Sequence, residues 1–375
     1  MSGGFETVRV EMPQNPFFTH VLECKGHDEG HGALFDFHWE QHNYGTDPWL
    51  VASASGDHSV RIFTLPSGKH VRTLFKQGGH VEWVTFVAIL RSGDILSAGL
   101  DGRIISWARG STKGIERVQM GSIANGFFDR ETQESVFGGS HATVCLMHQT
   151  ELVWQTSVLP KMKAAPNLMT CCIFGGKYVG IGARDGGIFV LNKSNGDVLW
   201  KKRAFTQSVI ACYPFSSMCV FGGADGQTVF VNPGGFTDAE DVASSCSNYT
   251  SFPSNNCGRV TAFTADGDLL FVGHSDGTLA IYENYDGEIS KLNHVTITDK
   301  VPIMSIAHRF VEKTFLIYCG HSDGTLTIWN NELEEVVLRV PVCKGGINKI
   351  GINETAKVTV VGGDDAVLRI LGMKK

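Results

Sequence analysis

Four histidines crowd one stretch near the start of the chain, between positions 27 and 42: His27, His31, His38 and His42. In His38-Trp-Glu-Gln-His42 two imidazoles stand four residues apart, the spacing by which a helix presents two zinc ligands on one face. The glutamate is at the wrong position for that motif. The stretch 33–39 also alternates as a strand, which would not bring both rings to one helical face. The expectation is no metal site, with His27 as a structural brace and the others on loops or the surface. His, Ser and Asp stand side by side in Gly273-His-Ser-Asp-Gly277 and again in Gly320-His-Ser-Asp-Gly324. Nucleophilic catalysis needs such groups to converge in space, and adjacency in sequence does not supply that. His274 and His321 are read instead as candidates for a shared face. Gly180-Ile-Gly-Ala-Arg-Asp-Gly186 is glycine-rich but lies between two strands, with no helix N-terminus to receive a phosphate. Lys201-Lys-Arg203 is basic but lacks interleaved aromatics, and reads as a charged sheet edge. No catalytic residue and no cofactor is expected.

What would position these residues is a repeat. Each copy is a strand, a tight turn marked by Asp, and a second strand of alternating apolar residues, the pattern of a hairpin with one buried face. The markers are Asp57, Asp101, His141 in place of Asp, Asp185, Asp225, Asp276, Asp323 and Asp365. Their spacings are 44, 40, 44, 40, 51, 47 and 42 residues, which leaves room for two more strands per unit. Four short strands in about 43 residues make one propeller blade, which buries its faces only against neighbouring blades. The expected fold is all-β: a β-propeller of four-stranded antiparallel blades, most simply eight, with seven as the alternative if one unit is an insertion. The blades are placed at 31–77, 78–120, 121–160, 166–205, 206–254, 257–298, 299–342 and 345–372. The last has room for only three strands, so residues 17–25 are expected to supply its fourth and close the ring. The longest spacing holds a Pro-, Gly-, Ser- and Asn-rich stretch, 232–257, read as a long exposed loop.

Composition fits this reading. Of 375 residues, 44 are glycine and 19% are charged, as suits many tight turns and short strands. A net charge of -6 gives no general attraction to phosphate backbones or anionic membranes, so neither nucleic acid nor membrane is an expected partner. No apolar run approaches membrane-spanning length, and no basic-then-apolar secretory leader opens the sequence. Ten scattered cysteines without a Cys-x-x-Cys pair then point to free thiols in a reducing compartment, hence an intracellular, cytoplasmic setting with the nucleus left open.

Over essentially the whole chain these features resemble the WD-repeat β-propeller family, whose repeat runs from a Gly-His pair to a Trp-Asp pair. The second unit matches best, with Gly79-His80, Ser97, Asp101-Gly102 and Trp107; the first has His27, Ser53 and Asp57 but Phe63 for the tryptophan. No unit carries a literal Trp-Asp pair. The resemblance implies that His80, Ser97, Asp101 and Trp107 form a buried hydrogen-bond chain bracing their blade. It also implies a non-catalytic scaffold or adaptor for other proteins or peptides. Partners would dock on a face that includes Trp83, Leu100, Arg184 and Asp364. Asp185, Asp225, Asp276, Asp323 and Asp365 are assigned to the repeat turns. Two alternatives come from other classes. Asn192-Lys-Ser-Asn-Gly-Asp-Val-Leu-Trp200 is similar to the blade motif of pyrroloquinoline-quinone enzymes, which can carry a vicinal disulfide, and Cys171-Cys172 would be its counterpart. In a strand, however, adjacent thiols point to opposite faces. The other alternative is an RNA- or ribosome-associated propeller.

Overall fold

The marker aspartates fold the chain locally before anything packs. In a computed structural model each carboxylate accepts the backbone N–H two residues on: Ser59 onto Asp57 at 3.0 Å, Arg103 onto Asp101 at 3.1 Å, Gly187 onto Asp185 at 3.0 Å. The same bond recurs at Asp225, Asp276 and Asp323. Such a bond mimics a backbone turn and sets the reversal. The residue after the Asp then needs positive φ. Glycine supplies it at Gly102, Gly186, Gly226, Gly277 and Gly324, whereas His58 and Ala366 hold φ values of 68° and 62° with a Cβ. At Gly324 a Cβ would stand 2.1 Å from the Cys343 carbonyl oxygen, so that turn has no room for a side chain. In the third copy His141 occupies the marker position at φ 60°, inside the 3₁₀ turn Ser140–Ala142.

The structure describes residues 6–27, 33–42, the backbone of 43–44, then 46–159, 166–233, 249–253, 257–311 and 314–374. They form eight antiparallel sheets, here blades I to VIII in chain order, distributed over two compact units. Unit 1 comprises residues up to Gln119 and from Met304 onward; unit 2 is Met120–Ile303. Unit 1 holds blade I (Leu34–Leu74), blade II (Val84–Gln119), blade VII (Ile303–Pro341) and blade VIII (Ile347–Met373). Unit 2 holds blade III (Ile123–Ser157), blade IV (Leu168–Arg203), blade V (Val209–Phe252) and blade VI (Val260–Thr296). In each the first strand is an edge strand and the next three follow in order. The second and third strands are almost wholly buried, as in Ile95–Gly99 and Thr228–Val231. The fourth is less buried than these, most clearly in blade IV, where Lys201, Lys202 and Arg203 are exposed on the outer strand.

Blade VIII takes its fourth strand from the N-terminus: Phe18–Lys25 pairs with Leu368–Met373, as expected. A fifth strand, Glu6–Val10, lies outside it and was not anticipated. Its residues are exposed but for Val8, so it leaves no burial pattern to read. Part of the loop expected at 232–257 is strand: Tyr249–Phe252 is blade V's outer strand, paired with Thr228–Val231. Residues 234–248 and 254–256 lie outside the described residues. No helix among the described residues is long and apolar enough to cross a membrane.

Candidate functional site

The interior of blade II is built as its residue types imply. His80 sits four residues before the first strand and reaches back to the turn. Its Nδ1 lies 3.0 Å from Asp101 Oδ1 and its Nε2 2.9 Å from Ser97 Oγ. The Trp107 indole N–H donates to the same Ser97 oxygen at 2.9 Å. One proton arrangement satisfies every group: Nδ1–H donates to the carboxylate, the hydroxyl donates to Nε2 and accepts from the indole. Asp101 also accepts the Val81 N–H. Burial would raise the Asp101 carboxyl, but the His80 bond and these backbone donors hold it below its ordinary value. Blade I repeats the brace, with His27 Nδ1 2.9 Å from Asp57 and Nε2 2.9 Å from Ser53. Phe63 brings no indole, and Arg61 adds an ion pair to Asp57 at 3.1 Å. Burial opposes ionisation of Asp57 too, yet His27, Ser59 and Arg61 hold it well below the usual carboxylate range. His27 itself is lowered, because burial outweighs its bond to Asp57.

Blade VIII fills the same place differently. Asp365 accepts the Lys344 N–H as Asp101 accepts that of Val81, which puts Cys343 at the position of His80. The charge partner is Arg369, almost wholly buried, which bridges Asp365 at 2.8 Å and Glu23 at 3.1 Å and donates to Cys343 Sγ. Arg61 in blade I and Arg369 in blade VIII stand at equivalent places, four residues after the turn Asp. In blade V, Asp225 accepts the Thr206 N–H at 2.9 Å, so Phe205 occupies the His80 position. Phe221 and Val231 then replace Ser97 and Trp107, and the chain of polar groups becomes an apolar contact. These equivalences were missed in the sequence. Their signal is the four-residue spacing from Phe205, or Cys343, to the first strand.

The docking residues divide between the units. Trp83 lies just before blade II's first strand, 46% exposed, beside Val81 at 65%. Its carbonyl accepts the Leu100 N–H at 2.9 Å, which fixes its backbone, and its ring stacks on Phe35 of blade I at 5.2 Å. Next to Phe35, the Leu34 carbonyl accepts from Asn348 Nδ2 of blade VIII at 3.1 Å. That amide also donates to Asp364 at 2.9 Å. Lys349 pairs with Asp36 in the same strip, and Asp36 accepts the Val87 N–H of blade II at 2.9 Å. Trp83, Leu100 and Asp364 thus belong to one strip of unit 1: a half-exposed aromatic rimmed by paired charges and an amide. Arg184 is exposed in unit 2, its carbonyl accepting the Ser208 hydroxyl at 2.8 Å.

Two expectations need correction. His38 and His42 are not loop or surface residues: both lie half-buried on blade I's first strand, Leu34–Tyr44. His38 Nδ1 accepts the Ile89 N–H at 3.1 Å and His42 Nε2 lies 3.3 Å from the Leu90 carbonyl. With Asp36 they occupy the open backbone edge of blade II, which side chains can cover as another strand would. His274 and His321 form no face, since each is almost completely buried. His274 Nδ1 donates to the Gly258 carbonyl at 3.0 Å; His321 Nε2 lies 2.8 Å from Thr327 Oγ1. Cys171 and Cys172 are free thiols on opposite faces, the first donating to the Val136 carbonyl and the second 3.2 Å from Cys219 Sγ. This is the placement expected of adjacent residues in a strand, and the two form no vicinal bridge. His31 lies outside the described residues, and among the described residues no cluster of three His, Cys, Asp or Glu could hold a metal ion.

By sequence, no protein family and no curated protein matches the chain. Solved structures do. The computationally designed protein Ika8 is 16% identical, with a TM-score of 0.65 over 91% of this chain and 96% of its own. Sqt1 of Saccharomyces cerevisiae is 13% identical, with a TM-score of 0.69 over 92% of this chain and 96% of its own. At such identities the likeness speaks for the fold alone, and with the eight sheets, seven of four strands and one of five, it shows an eight-bladed β-propeller.

Proposed function

We propose that this protein is a non-catalytic scaffold or adaptor of the WD-repeat kind, and that a protein or peptide partner docks on the strip around Trp83. The observation that carries the reading is Trp83 itself. A large aromatic is held half out of the protein by a stacked neighbour and a fixed backbone, in a strip that also carries the Lys349–Asp36 pair and the Asn348 amide. Interface anchors have that character: a rigid aromatic at the centre, a polar rim around it. The His80–Ser97–Asp101–Trp107 brace supports the family assignment, since it stands where the resemblance put it. Free thiols at the nine described cysteines support an intracellular setting.

The test compares proteins co-purifying with the tagged chain from its own cells for wild type, Trp83→Ala, and a control at the blade IV edge, Lys201→Ala. Trp83→Ala is expected to lose at least one partner by about tenfold or more, with the melting temperature unchanged and the control binding normally. Full retention of every partner by Trp83→Ala would overturn the reading.

A further inference from the structure

Blades IV and V meet across a surface that carries three thiols. Cys172 and Thr170 point from blade IV's first strand toward blade V, because residues two apart share a face. On blade V, Cys219 lies opposite Pro214 in the register, and Cys212 is two residues from Pro214, so both cysteines face blade IV. The contacts agree: Cys172 Sγ lies 3.2 Å from Cys219 Sγ, and the Thr170 hydroxyl donates to Cys212 Sγ at 3.1 Å. Thr170, two residues from Cys172, thus brings Cys212 into the same layer as the other two thiols. Access is graded: Cys172 and Cys219 are wholly buried, whereas Cys212, on the edge strand Val209–Phe215, is only half-buried. The rest of this layer is apolar, including Phe174, Phe205 and Phe221.

We propose that Cys212, Cys172 and Cys219 form an oxidation site for a hydroperoxide, in which Cys212 is the entry point and a Cys172–Cys219 disulfide tying blade IV to blade V is the product. Cys212, as thiolate, attacks the outer peroxide oxygen, becoming a sulfenic acid while the hydroperoxide leaves as its alcohol, or as water from hydrogen peroxide. Cys172 attacks the sulfenic sulfur, and the hydroxyl leaves as water with the thiol proton. Cys219 then attacks Cys172 in that bridge, returning Cys212 to the thiol and leaving Cys172–Cys219. Two thiols and one hydroperoxide give one disulfide, one alcohol and one water. The final pair needs little movement, since its sulfurs must close by only about 1.2 Å to reach bonding length. The ionisation order fits. Burial pushes Cys212 up, but hydrogen bonds from Cys172, Cys219 and Thr170 outweigh it and hold that thiol well below its ordinary value. Burial and the neighbouring sulfur charge push Cys172 and Cys219 well above theirs.

The test treats the folded, full-length protein with hydrogen peroxide, blocks remaining thiols with N-ethylmaleimide, and maps linked peptides by mass spectrometry. The expected product joins the Cys172 and Cys219 peptides, and dimedone added early labels Cys212. Cys219→Ser should stop at a Cys172–Cys212 bridge. Cys212→Ser, with an unchanged melting curve, should form the Cys172–Cys219 bridge at least about tenfold more slowly. Failure of wild type to give that linked peptide would overturn the proposal without reference to any variant. Equal rates in wild type and Cys212→Ser would overturn the entry role. Neither result bears on docking at Trp83.

Discussion

Blades II and V share a backbone and differ in what it encloses. In both, the turn carboxylate accepts a backbone N–H from the segment before the first strand, Val81 in one and Thr206 in the other. In blade II the residue just before that donor is His80, and a chain of polar groups follows inward to Ser97 and Trp107. In blade V it is Phe205, against an apolar layer with Phe221 and three thiols alongside. What the two blades share, along with the turns at Asp276 and Asp365, is the carboxylate–backbone bond. The buried histidine is one filling of the space it frames. Each filling is consistent with itself: every brace atom in blade II has a partner, and blade V leaves none of its replacements needing one.

Mixing the two fillings should destabilise the protein most. Phe205→His places an imidazole beside Asp225 but leaves its Nε2 facing Phe221, and should cost about 3 kcal/mol in urea unfolding. If the comparison holds, adding Phe221→Ser gives a favourable coupling of about 1 kcal/mol in a double-mutant cycle; zero coupling would mean the two blades are not equivalent. Ser97→Ala in blade II strands both His80 Nε2 and the Trp107 indole, with an expected loss of about 2 kcal/mol by the same measurement. A loss near that of a surface substitution would show that the brace is not needed.

A pH series sharpens the electrostatic side. Buried His27 has a lowered pKa, so below about 6.5 the unfolded chain takes up a proton that the folded protein resists. Its contribution to stability is therefore full above that pH and declines as pH falls toward the lowered folded value. His27→Gln should be less stable than wild type at pH 7.5, and should lose less between pH 7 and 5. Parallel melting curves for the two proteins would contradict this. The smallest expected effect is at the Ala366 turn. Ala366→Gly relieves a left-handed residue at φ 62° and should raise the melting temperature slightly, by about 0.5 kcal/mol of stability. Gly324→Ala, where a Cβ meets a carbonyl oxygen, should do the reverse more strongly.

How much of this could be read from the sequence depended on what each residue leaves as a trace. The turn Asp and the Gly after it repeat at nearly fixed spacing, so eight sheets and the N-terminal strand of blade VIII were legible. The brace in blades I and II was legible because a Gly-His pair precedes each unit and Ser stands four residues before the turn Asp in both. Phe205 and Cys343 were not, since an apolar residue in the histidine's place looks like any core residue until the Thr206 and Lys344 bonds to Asp225 and Asp365 fix its position. The Cys172, Cys212 and Cys219 cluster depends on which face each strand turns to its neighbour, which needs the register between blades. The placement of Asp36, His38 and His42 along a strand edge of the next blade was not legible, because those contacts are long-range ones.

The pairing of Phe18–Lys25 with Leu368–Met373 has a consequence for synthesis. The two strands are separated by almost the whole chain, so the first is made long before its partner exists. At about 5–20 residues per second, the nascent N-terminal strand waits roughly 20–70 seconds for the last blade to emerge. For that interval the alternating strand Phe18–Lys25 has an unpaired edge and no sheet to join. The step that completes blade VIII is also the step of highest contact order, and slow closure there would set the time for which the newborn protein needs protection from aggregation.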